Sequence, residues 1–135
     1  MENAPFVDQL EHRERLSHVQ QVLQRRFAVL NQKEQLDQAR IIYRAAIARN
    51  PEDWQLHFTF GNFLSEMRDY NAAIEEFRAV VKILPKLQPM RMALANALLG
   101  AGRRDESLEQ LTEILRFDPD CAPAKAAIAR IRPSR

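Results

Sequence analysis

Residues 54–87 read WQLHFTFGNFLSEMRDYNAAIEEFRAVVKILPKL, and residues 88–121 read QPMRMALANALLGAGRRDESLEQLTEILRFDPDC. The two stretches are equal in length and align without a gap. The same step reaches back into residues 20–53, so that Pro51, Pro85 and Pro119 each stand one unit apart. It also links Ala39, Ala73 and Ser107, then Tyr43, Phe77 and Leu111, then Ala46, Val80 and Ile114. In the other half of the unit it links Leu30, Leu64 and Leu98. Forward, it joins Phe60, Leu94 and Ile128, and the small residues Gly61, Ala95 and Ala129. Columns held in register without insertion mark an internal repeat.

The columns have helical physics. The small column and the bulky column are four residues apart, and Ala46, Val80 and Ile114 follow three later, so each set shares one helix face. That is the stripe of an amphipathic helix packed on a neighbour. The small residue admits a second helix and the bulky one fills the space beside it. Each proline closes an apolar run, because it has no N–H for a helix interior. The expected helices are a long one from about Val7 to Gln32, then about 36–49, 54–67, 71–84, 88–101, 105–117 and 122–132.

A helix–turn–helix unit of roughly 34 residues with these columns resembles the tetratricopeptide repeat. Residues 54–87 and 88–121 carry the pattern in both helices, with turns at Arg68-Asp69-Tyr70 and at Gly102. In residues 20–53 the second helix conforms, but Arg26 and Phe27 stand where the family has a large apolar and a small residue. That first helix is expected to pack differently. Ala126, Ile128, Ala129 and Ile131 predict a short amphipathic helix in residues 122–135 that caps the last apolar face. Residues 1–19 form an N-terminal helical extension. Ala39, Arg40, Tyr43, Pro51 and Trp54 are also similar to a helical repeat of RNA-processing scaffolds. The even step favours the tetratricopeptide form. The resemblance implies an all-α solenoid, with antiparallel helix-turn-helix repeats stacked as a short right-handed superhelix.

Composition restricts the function. Hydrophobic residues are 46% and charged residues 28% of the 135, the balance of an ordinary folded chain. The net charge is +2, and Arg13, Arg15, Arg25 and Arg26 are interleaved with Glu11 and Glu14. That spread is a solvated surface rather than a nucleic-acid footprint. No apolar run reaches the ~20 residues of a membrane span, and the first twenty residues, charged throughout, do not read as a signal peptide. A cytoplasmic setting is the expectation. Cys121 is the one cysteine, and its place after Asp118-Pro119-Asp120 predicts partial exposure. His12, His18 and His57 have neither the spacing nor the cysteine partners of a metal site. Gly100-x-Gly102 reads as a helix-ending turn and not as a phosphate loop. Glu75 and Glu76 point different ways on a helix. Neither catalysis nor a cofactor is expected.

Function is expected in binding. The resemblance implies a concave groove lined by the first helix of each unit, a surface suited to a peptide or helix of a partner protein. Its positions fall on Phe58, Thr59, Asn62 and Glu66, then Met92, Ala93, Asn96 and Leu99, with Arg130 from the cap. Asn62 and Asn96 are equivalent, and an amide both donates and accepts, so each is suited either to a partner's backbone or to bracing its own helix turn. Phe58 and Met92 sit one turn earlier, as an apolar patch if exposed and as core if not. Members that hold the acidic C-termini of heat-shock chaperones use a clamp of Lys, Asn, Asn, Lys and Arg. Gln24, Ala28, Thr59, Pro89 and Ala93 occupy those positions here, so that ligand is not expected. Two alternatives stand beside the adaptor reading. One is a homo-oligomer, such as a homodimer, assembled through Leu10, Leu16, Val19 and Leu23, which approach a heptad seam interrupted by His12 and Arg13. The other is an accessory segment of a larger complex.

Overall fold

The computed structural model describes residues 4–27 and 31–132, with side chains described for 13–26 and 31–132. Leu10, of the expected self-association seam, and Leu30, of the apolar column, lie outside the residues whose side chains are described. The described residues form seven helices: α1 (Ala4–Phe27), α2 (Gln32–Arg49), α3 (Trp54–Glu66), α4 (Tyr70–Ile83), α5 (Gln88–Gly100), α6 (Arg104–Phe117) and α7 (Ala122–Ile131). The chain divides into two compact units, Met1–Leu56 and His57–Arg135, with the division inside α3.

In the first unit α1 packs along α2. Val19 and Leu23 of α1 and Ala39 and Tyr43 of α2 are buried. The long helix expected to run to Gln32 ends at Phe27, and α2 starts at Gln32, four residues before the repeat register places it. The cause is local. Asn31 accepts from the Glu34 backbone N–H at 2.9 Å, and the Glu34 carboxylate accepts from the Asn31 backbone N–H at 3.2 Å. This capping box satisfies two otherwise orphan donors and starts the helix there. Arg15 donates to Asp53 at 2.9 Å, and the same carboxylate accepts from the Leu56 N–H at 3.4 Å. Asp53 is buried, so a guanidinium partner offsets the loss of its water.

The second unit follows the repeat closely. The first helices α3, α5 and α7 begin at Trp54, Gln88 and Ala122, each one full unit after the last, and α4 and α6 begin one unit apart at Tyr70 and Arg104. The packing runs from α4 to α5, α5 to α6 and α6 to α7. Phe60, Leu64, Ile74, Phe77 and Val80 are buried, and so are Leu94, Leu98, Leu111 and Ile114 at the repeated positions. An ideal Cβ on Gly61 lies 2.6 Å from Cε1 of Phe77, so the ring occupies the space that any side chain there needs. One repeat later Ala95 and Leu111 take these two positions, a larger small residue against a smaller bulky one. Ser107 replaces the alanine of its column, and its hydroxyl donates to the Ala95 carbonyl at 2.8 Å, which satisfies a buried polar group.

The turns repeat as well. Arg68 and Gly102 have φ of 63° and 79°. The N–H of Asp69 donates to Leu64 O, and that of Arg103 to Leu98 O, both at 2.8 Å. These are Schellman closures with the left-handed residue that such closures use. Asn50, Leu84 and Asp118 end α2, α4 and α6 outside the helical region, each directly before a proline.

Two expectations are corrected here. Cys121 is buried, in a cluster with Leu108, Leu111 and Ile114, because the chain turns its small apolar side chain under α7. The inner face of α7 is Ala124, Ala127 and Ile131 with Ile128 half-buried, while Ala126 and Ala129 are exposed. Ala124 is buried, as is Met90 at the equivalent position one repeat earlier.

Candidate functional site

The outer faces of α3 and α5 meet in an open cleft of about 450 Å³ within the second unit. Asn62 and Ser65 reach it from α3, three residues apart and so on one helix face. Met92, Ala93 and Asn96 reach it from α5, with Gln88 and Pro89 from the first turn of that helix. Phe77 of α4 closes the floor. Gly61, Leu64, Leu94 and Leu98 are buried on the inner faces of the same helices, which turns Asn62 and Asn96 outward to solvent. None of the residues that line the cleft is charged. Three amides and a hydroxyl stand over an apolar base, so the cleft offers hydrogen bonds in both directions without a net field.

Of the groove residues named from sequence, the structure brings together Asn62, Met92, Ala93 and Asn96. Phe58 is half-buried, its ring centroid 5.7 Å from that of Phe77 at a tilt of 57°, so it supports the floor rather than lining the cleft. Thr59 is half-buried, Glu66 and Arg130 are exposed, and Leu99 is exposed at 41%; none lines the cleft. Ser65, Phe77, Gln88 and Pro89 are added by the structure. Ser65 was legible as the next residue on the face of Asn62, whereas Gln88 depends on how the α5 first turn meets α3. The histidine of α3 has a structural role, with His57 Nδ1 2.8 Å from Glu76 Oε1 on α4. Of the self-association residues, Val19 and Leu23 are buried and Leu16 is half-buried. No helix among the described residues is long and apolar enough to cross a membrane.

Comparison with known proteins agrees with this architecture. Residues 64–131 match the tetratricopeptide repeat family. A thermophilic tetratricopeptide-repeat protein of Thermus thermophilus is similar in structure, with a TM-score of 0.62 and 25% identity over 79% of this chain and 56% of that one. The MamA MSR-1 structure is similar with a TM-score of 0.60 and 23% identity, covering 71% of this chain and 55% of that one. The Yersinia enterocolitica type III secretion chaperone SycD, in complex with a peptide of the translocator YopD, is similar in fold with a TM-score of 0.59 and 16% identity. That likeness covers 87% of this chain and 86% of that one. This chain spans a little over half the length of the first two. No curated protein matches it.

Proposed function

We propose, from the premise that this chain belongs to the tetratricopeptide repeat family, that it is a protein-interaction module holding a segment of a partner protein in the α3–α5 cleft. The observation that carries the reading is the pair Asn62 and Asn96, exposed and equivalent in successive repeats, on the wall of one uncharged cleft. Each amide hydrogen-bonds a peptide N–H or C=O of the bound segment, and Met92, Pro89 and Phe77 take its apolar side chains. The absence of charge in the lining selects a neutral, partly apolar segment over an acidic one. Pro89 and Ala93, at two positions of the heat-shock chaperone clamp, line the cleft without a cation. The SycD structure with its bound YopD peptide supports peptide capture by this fold. A free, buried Cys121 suits a reducing, cytoplasmic setting. No catalysis is assigned, and an accessory place in a larger complex is compatible with the same cleft.

The test is selection of displayed 15-residue peptides on the intact chain, followed by counter-selection on the Asn62→Ala/Asn96→Ala variant. The expected result is a family of neutral peptides that bind the wild type and lose about tenfold or more on the variant. Peptides that bind both proteins equally remove the cleft from the function.

A further inference from the structure

A second groove, of about 480 Å³, runs along the outward side of α6 to the end of α7. Its α6 wall is formed by Asp105, Glu109, Thr112, Glu113 and Arg116, with Leu108 at the base; Arg132 closes the end beside the start of α6, where Arg104 donates to the Ile131 carbonyl at 3.3 Å. Along this wall the carboxylates of Asp105, Glu109 and Glu113 precede Arg116, and Arg116 contacts Glu113 at 3.3 Å while remaining mostly exposed. Among the described residues, neither Asp105 nor Glu109 makes an ion pair.

The outward face of α2 has the matching arrangement. Ile41 is 63% exposed, the most exposed large hydrophobic among the described residues, and Ala45 and Ala48 continue an apolar stripe beside it. Asp37 lies one turn before Ile41 and Arg44 one turn after, both exposed and, among the described residues, without an ion pair. Asp37 to Arg44 is seven residues, and so is Glu109 to Arg116; each pair spans about 10.5 Å of helix. With the two helices antiparallel, one register sets these charges opposite counter-charges, with Asp37 sharing Arg116 with Glu113. Asp37 meets Arg116, Ile41 meets Thr112, Arg44 meets Glu109, and Ala45 lies over Leu108. In the same register Ala48 falls opposite Asp105, within reach of the exposed Arg49.

We propose that this chain associates with a second copy of itself by seating α2 of one copy, antiparallel, in the α6–α7 groove of the other. The two surfaces differ, so the contact is heterologous. It uses neither the α3–α5 cleft nor the buried Val19 and Leu23 of α1, and it stands whether or not the cleft binds a peptide. Two ion pairs and one apolar knob at solvent-facing positions make a contact that depends on salt and forms at high protein concentration.

The experiment is sedimentation velocity of the full chain from about 1 µM to about 0.5 mM, the range in which a contact of this size dissociates. The wild-type mass is expected to climb above the 15.7 kDa monomer as concentration rises. Arg44→Glu and Glu109→Arg, each alone, are expected to weaken association about tenfold or more. The combined Arg44→Glu/Glu109→Arg variant is expected to recover it. All of these positions are exposed, so circular dichroism should be unchanged. A wild type that stays monomeric throughout overturns the proposal and leaves the groove to a helix of another protein. Association that ignores both single reversals also overturns it, since the interface then lies elsewhere, and so does a combined variant that fails to recover.

Discussion

In the unit that ends at Leu56, α2 starts on the reciprocal Asn31–Glu34 cap, whereas α4 and α6 in the unit that begins at His57 start on N-cap residues with no side-chain hydrogen bond. The second unit has something else to place its helices. Its columns of large buried residues run through α3, α4, α5 and α6, and each turn repeats its neighbour's hydrogen bonds. A helix fixed by local chemistry starts where its cap is. A helix fixed by packing starts where the repeat puts it. The four-residue displacement of α2 shows the first rule winning in that unit.

The largest test of this contrast is Phe77→Ala. It empties a buried aromatic site and is expected to cost about 3–5 kcal/mol in urea unfolding. Gly61→Ala should cost about 1–3 kcal/mol, because the new methyl meets the Phe77 ring. Phe77→Leu should relieve part of that cost, since Ala95 and Leu111 already coexist at the same positions. A double-mutant cycle over Gly61 and Phe77 that shows strict additivity would break the packing account. In the first unit Asn31→Ala is expected to cost about 1 kcal/mol and to loosen the start of α2, read as faster amide exchange confined to its first turn. An equal loss of protection in α4 would erase the distinction. Arg68→Gly should stabilise the second unit by about 0.5–1 kcal/mol, because Arg68 holds the left-handed conformation that Gly102 adopts freely.

The smallest effect concerns Glu106, which accepts two bonds from Arg103 at 2.8 Å and one from Arg78 at 2.9 Å. The hydrogen bond from Arg103 holds its carboxyl below the usual carboxylate range, with charge attraction from Arg103 and the Arg78 contact adding to it. A depressed folded value means that the contribution is fully present above the unfolded carboxylate range. It fades as pH falls through the folded one. A carbon-detected titration of Glu106 should show the lowered midpoint, and Arg103→Gln should move it back up.

The repeat was the most legible part of this molecule. The constant step from Pro51 to Pro85 to Pro119 places the starts of α3, α5 and α7 at Trp54, Gln88 and Ala122, where they are observed. Asn62, Met92, Ala93 and Asn96 were also readable, because equivalent positions on successive helices share one face. Other features depended on interactions that a column does not encode. The start of α2 follows a side-chain cap, which competes with register. The inner face of α7 is carried by alanines, which are equally acceptable inside and outside, so Ala124 and Ala127 could not be told from Ala126 and Ala129 by type. Phe58 reads as a groove residue by position, yet its side chain is half-buried with its ring against that of Phe77.

The sequential packing of α4 on α5, α5 on α6 and α6 on α7 makes length a free variable in this design. Duplicating residues 54–87 ahead of Gln88 would create a seam of the same kind as the existing one, because each block meets only the blocks before and after it. A single inserted residue within α5 has the opposite character. It would turn every later side chain of that helix by about 100° and present the wrong face to α6. The chain therefore tolerates change in whole blocks far better than in single residues, so its natural unit of variation is the repeat.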